Sequence, residues 1–132
     1  MKINPKNSHG PIRISRGQKP SEGFSHAIFR TYDIRGIYPS KINEDIAYLI
    51  GRAFVKFLKT RKPKIVVGRD NRLSSPQLFK ALTKGITEQG ADVIDIGLST
   101  TPMLYFSVAH YNFDGGINIT ASHLPSEYNG FK

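Results

Sequence analysis

The sequence predicts an α/β fold, a mostly parallel sheet with helices covering it. Three observations predict it. Short β-branched or alternating runs at 28–36, 64–68, 91–97 and 116–120 take turns with helix-period stretches at 43–59, 76–89 and 101–111. The links between strands are long enough for crossover helices, which join parallel strands and pack back on the sheet. A chain of 132 residues, 39% of them hydrophobic, can bury one modest core and no more.

Residues 1–27 read as a flexible basic leader. They carry Pro5, Pro11 and Pro20 among Gly and Ser, and offer only Ile3, Ile12, Ile14 and Phe24 to bury. That is too little apolar surface to offset the entropy of ordering them. The prolines also argue against the amphipathic helix of a transit peptide. The run from Ile28 to Gly36 then alternates apolar and polar residues and reads as the first strand.

The clearest helix spans 43–59. Ile46, Leu49, Ile50, Ala53, Phe54, Phe57 and Leu58 recur at helical spacing and are assigned to the core. Asn43 is placed as N-cap, Glu44 and Asp45 suit the first turn, and Pro63 closes the exit. Lys64 to Gly68 is a short strand, followed by the polar loop Arg69-Asp70-Asn71-Arg72-Leu73-Ser74. Two arginines ahead of a helix could hold an anion; pairing between Arg69 and Asp70 that merely shapes the loop is the favoured reading. Ser75 is expected to cap the second helix, with Pro76 as its first residue and Gly90 at its end. The third strand includes Val93, Ile94 and Ile96. The run Ser99-Thr100-Thr101-Pro102 caps a third helix in which Met103, Leu104, Phe106 and Val108 are available for packing. His110, near its end, is read as structural.

The net charge of +9, from 19 basic and 10 acidic residues, favours anionic partners. The cations are spread along the chain, and those at Lys56, Lys59, Arg61, Lys62 and Lys64 suit the C-terminal end of a helix dipole. No basic motif or stacking platform argues for a nucleic-acid partner. No apolar run reaches the length of a membrane span, so no membrane partner is expected. With no cysteine there is neither disulfide framework nor thiol chemistry, and a cytoplasmic setting is the default expectation.

The chemistry gathers at the last stretch, Thr120-Ala121-Ser122-His123-Leu124-Pro125, followed by Tyr128-Asn129-Gly130-Phe131-Lys132. A buried strand delivers a hydroxyl and an imidazole into a loop. Pro125 stops the strand, Asn129-Gly130 reads as a turn, and Lys132 supplies a cation. In open α/β sheets ligands collect beyond the carboxyl ends of the strands, where Ser122 and His123 fall. A serine hydroxyl is a weak nucleophile, so phosphoryl transfer to it needs positioning, proton removal and charge neutralisation. His123, Lys132 and Arg35 are candidates for those tasks. Taken singly, each also has an ordinary role, as a turn serine, a loop histidine or a solvated cation.

This stretch closely resembles the phosphoserine loop of the α-D-phosphohexomutases, the phosphoglucomutase/phosphomannomutase family. Tyr32-Asp33-Ile34-Arg35-Gly36 matches that family's N-terminal signature, and the runs at 68–74 and 97–102 are similar to it as well. Residues 28–132 therefore resemble an incomplete N-terminal, phosphoserine domain of a phosphohexomutase, with the domain I-like α/β fold. The resemblance implies that Ser122 carries a phosphate and donates it to a hexose 1-phosphate or 6-phosphate. A hexose bisphosphate forms, reorients and returns its other phosphate to the serine; hexose 1,6-bisphosphate acts as activator. It further implies that Tyr32, Arg35, His123 and Lys132 line the site, and that the Ser122 phosphate is one ligand of Mg²⁺. Leu124 stands where the family usually has Asn, which removes an amide that can shape the loop. Family enzymes have four domains, so the expected partners are a phosphorylated hexose and the remaining mutase domains, with the isolated 132 residues expected to be inactive. The alternatives are a non-catalytic α/β remnant that binds phosphorylated ligands or a partner subunit, and a basic nucleic-acid module.

Overall fold

Ile65, Val66 and Val67 are wholly buried, which places their strand at the centre of the molecule. Their β-branched side chains suit a strand covered on both faces. The computed structural model describes residues 26–132; the expected leader lies almost entirely outside them. After a 3₁₀ turn at His26–Ile28 come β1 (Ile34–Ile37), α1 (Glu44–Leu58), β2 (Lys64–Arg69) and α2 (Ser75–Glu88). β3 (Asp92–Leu98), α3 (Thr101–His110), β4 (Gly115–Ile119) and β5 (Tyr128–Phe131) complete the order.

The strands form one sheet in the order β1-β5-β4-β2-β3. β2 is parallel to both β3 and β4, whereas β5 is antiparallel to its neighbours β4 and β1. Four strands thus point one way and β5 alone opposes them, so the sheet is mixed, with the predicted parallel part intact. Alternation along β4 sorts the helices into layers. A side chain on Gly115 would meet Phe54 and Leu58 of α1, and one on Gly116 would meet Leu104 and Val108 of α3. α1 lies on one face with α2 packed against it, and α3 covers the other.

α1 and α2 cross with their backbones in contact. A methyl at Gly51 would run into the carbonyl oxygen of Leu82, and one at Gly85 into that of Tyr48. This crossing turns Ala47, Gly51 and Val55 of α1 inward and leaves Leu49, Ala53 and Phe57 outside the core. The sequence assignment of those three to the core is corrected accordingly. Asn43 does cap α1, its side chain accepting from the Ile46 N–H at 3.1 Å. Gly90 follows α2 with φ +95, a left-handed geometry in which its N–H bonds Thr87 and the next N–H bonds Ile86.

Four other expectations change. Residues 28–33 are a turn, not the start of a strand. The Arg30 N–H reaches forward to the Asp33 carbonyl at 2.8 Å, and Ile28 is buried. Ser75 is the first residue of α2, not its cap, because its hydroxyl is taken by Asp70 at 2.6 Å. In α3 Leu104 is buried, while Met103 and Phe106 stay exposed, the latter stacked on His110. Finally, Asn129-Gly130 is not a turn. It lies inside β5, which needs no crossover because a short loop suffices between adjacent antiparallel strands.

Candidate active site

β4 ends beside the carboxyl end of β2, and the chain leaving β4 heads for β5 while that leaving β2 heads for β3. Connections diverging in this way open a crevice at the strand ends. Thr120 and Ala121 continue β4 as buried residues, then Ser122 turns outward into solvent. Ser122 has φ 58, a left-handed conformation that costs a non-glycine residue on the order of 1–2 kcal/mol. Its N–H bonds the Thr120 hydroxyl at 2.9 Å, and the Leu124 N–H closes a tight turn onto the Ala121 carbonyl at 3.1 Å. His123 Nδ1 lies 3.5 Å from Ser122 Oγ, so hydroxyl and imidazole are neighbours as expected.

The second part of the site comes from the turn before β1. Asp33 has a side chain only 2% exposed. Its Oδ2 accepts from Arg35 Nε, and the same oxygen lies 3.9 Å from Lys132 Nζ. One buried carboxylate therefore ties together two of the predicted site cations, which are almost a hundred residues apart in the chain. Lys132 is held in place as well: it exchanges backbone hydrogen bonds with Asn118 at 2.8 and 2.9 Å. Tyr32 is 91% exposed. A cleft of about 350 Å³ is lined by Arg30, Tyr32, Asp33 and Arg35 from this turn and by Leu124 and Tyr128 from the serine loop. Cations outnumber carboxylates in its walls, which suits an anionic ligand.

The predicted residues thus fall into two groups, Ser122 with His123 and Arg35 with Lys132, and Tyr32, Arg35 and Leu124 line the cleft. Leu124 shapes the loop through its backbone N–H and carbonyl, so the absence of an amide side chain leaves the turn intact. Asp33 was not singled out from the sequence. Its signal was there in Asp33-Ile34-Arg35, since residues two apart in an extended segment share a face. Arg69 and Asp70 do not pair with each other. Arg69 binds Asp95 at 2.8 Å and lies over the Phe79 ring, while Asp70 pairs with Arg72 at 3.0 Å. This confirms a shaping role for the loop and corrects the partners.

Magnesium was expected through a Ser122 phosphate. Among the described residues no three His, Cys, Asp or Glu side chains cluster to hold a metal. Asp33 and Asp70, the carboxylates flanking the loop, are each occupied by cations. The oxygen-rich shell that Mg²⁺ demands is not supplied by these residues. Among the described residues no helix is long and apolar enough to cross a membrane.

The domain is an α/β/α sandwich with a left-handed serine and a cationic cleft at its strand ends. Residues 26–132 match the sequence profile described as "Phosphoglucomutase/phosphomannomutase, alpha/beta/alpha domain I". A phosphomannomutase of Klebsiella pneumoniae is 55% identical over 104 residues, covering 79% of this chain and 65% of that protein. A phosphomannomutase of Escherichia coli is likewise 55% identical over 104 residues, but there the chain spans only 22% of the relative's length. The crystal structure of a phosphoglucomutase/phosphomannomutase family protein from Burkholderia thailandensis superposes with a TM-score of 0.75. It shares 41% identity, over 83% of this chain and 26% of that one. The chain belongs to the phosphoglucomutase/phosphomannomutase family, and its residues 26–132 match that family's first domain.

Proposed function

We propose that this chain supplies the phosphoserine half of a hexose phosphomutase, with Ser122 as the phosphoryl carrier. The observation that carries the reading is Ser122 itself, exposed, left-handed and 3.5 Å from an imidazole at the end of β4. In the forward half-reaction the phosphate on Ser122 passes to a hydroxyl of a hexose monophosphate. The Oγ–P bond breaks, an O–P bond to the sugar forms, and the sugar's hydroxyl proton leaves as Oγ regains one. His123 is the group placed to hand that proton to Oγ. The resulting bisphosphate turns over and returns its other phosphate to Ser122. Arg35 and Lys132 hold the phosphate that is not reacting, their charge moderated by Asp33. Mg²⁺ in this reading is held chiefly by residues outside this chain.

The rest of the site comes from the remainder of the enzyme, because the chain matches 22% of the E. coli relative's length and the carboxylates among the described residues form no metal cluster. The 132 residues alone are accordingly proposed not to turn over sugar phosphates. The test combines the protein with the polypeptide that follows the matched segment in the E. coli relative. Glucose 1,6-bisphosphate and Mg²⁺ are added, and phosphate is mapped by mass spectrometry. Phosphate on Ser122, absent in Ser122→Ala, supports the reading. A domain that binds hexose phosphate without ever phosphorylating Ser122 points to the non-catalytic remnant.

A further inference from the structure

We propose that Arg72 is a positioning residue for phosphoryl transfer at Ser122, a clasp that fixes the serine from its carbonyl side; this rests on Ser122 being the carrier. A guanidinium has five N–H donors in a rigid planar fork. In Arg72 all five are used. Nε donates to Asp70 Oδ2 at 3.0 Å. Nη1 donates to the carbonyls of Pro125 at 2.6 Å and Tyr128 at 3.0 Å. Nη2 donates to those of Ser122 at 3.1 Å and Leu124 at 2.7 Å. Four carbonyls of one short loop converge on a single side chain that is only 11% exposed.

The clasp is itself braced. Asp70 Oδ1 accepts from the Arg72 N–H at 3.1 Å and from the Ser75 hydroxyl at 2.6 Å. The Asp70 N–H bonds the carbonyl of Ile119, the last residue of β4, at 2.9 Å. The far end of the loop is pinned to the same place, since Asn129 Nδ2 donates to Ser74 and Ser75 at 2.8 and 3.1 Å. Arg72 does not line the cleft, and its charge is met by Asp70. It is placed to hold the loop, not a ligand.

The consequence lies in the backbone of Ser122. The Thr120 hydroxyl holds its N–H and Arg72 holds its carbonyl, so rotation about both φ and ψ is opposed. A left-handed serine persists where its surroundings over-determine it. Releasing the carbonyl lets the residue relax and swings Oγ away from its line of attack. Small misplacements of that kind cost reactions about 100-fold.

The test compares wild type with Arg72→Lys and Arg72→Ala in the combined enzyme described above, and by amide hydrogen exchange in the chain alone. Lysine keeps the charge but has three donors on a tetrahedral head, and so satisfies only part of the set. The expected result is a fall of about 10- to 100-fold in the rate at saturating substrate, with KM for the hexose phosphate within about twofold of wild type. Amides of 121–128 exchange at least about tenfold faster in both variants, while β2 and α2 keep their protection. Unchanged rate and exchange in Arg72→Ala overturn the proposal. So does a raised KM at unchanged maximal rate, which makes Arg72 a substrate ligand, or a loss of protection throughout the domain. If wild-type Ser122 never takes up phosphate, the carrier reading fails on its own, and the exchange arm still decides whether Arg72 clasps the loop.

Discussion

The two halves of the domain, the sheet with its helices and the loops at its edge, are held by different forces. In the sheet and its helices, burial does the holding: Ile65, Val67, Leu78, Leu82, Ile86 and Ile117 form one apolar cluster that continues through Phe131 of β5 to Ile28 and Ile42. In the loops, long-range polar contacts dominate. Asp33 joins Arg35 to Lys132, Arg72 joins Asp70 to four loop carbonyls, and Asn129 joins Ser74 to Ser75. Apolar packing is insensitive to direction, so it supports a stable platform. Hydrogen bonds fix direction, and direction is what a reacting hydroxyl needs. The fold places its strength in one half and its aim in the other.

Perturbations should separate the halves. Ser122→Ala has the largest expected effect: phosphate uptake from a bisphosphate is abolished, while thermal unfolding is unchanged because the side chain is exposed. Leu82→Ala strikes the apolar half, where Leu82 is wholly buried; a loss of about 2–5 kcal/mol is expected in urea unfolding. Asp33→Asn strikes the polar half. It removes the anion between two partly buried cations and should cost about 1–3 kcal/mol. It should also weaken hexose phosphate binding by disordering Arg35 and Lys132, read as a raised KM. Asn43→Ala removes the α1 cap and should cost about 1 kcal/mol by the same unfolding assay, with activity retained. A polar-half variant that unfolds the whole domain as severely as Leu82→Ala would erase the distinction.

The same division explains what could be read from the sequence. The three helices, the parallel strands, the cap at Asn43 and a capping run at 99–102 follow from local periodicity and capping chemistry, and the structure keeps them. Ser122 and His123 were expected just past a strand end, and they lie just past the end of β4. β5 was missed because Asn-Gly is a strong turn signal when read locally. Here the Asn129 amide is spent on serines more than fifty residues away, which frees the segment to pair as a strand. The role of Arg72 was equally hidden, since its carbonyl partners lie 50–56 residues ahead. Leu49, Ala53 and Phe57 were misassigned for a subtler reason. α1 is apolar over a wider arc than the core needs, and the glycine crossing with α2 decides which part faces in. Those three residues instead line an apolar groove of about 650 Å³ with Phe29 and Ile34.

The central claim is that Ser122 carries the phosphoryl group, and its most direct test is phosphosite mapping on the protein isolated from its source cells. The account predicts phosphate on Ser122 that is discharged by added hexose 1-phosphate or 6-phosphate and recovered in a hexose bisphosphate. A Ser122 that stays unmodified after exposure to the bisphosphate, or a phosphate residing on another residue, would contradict it.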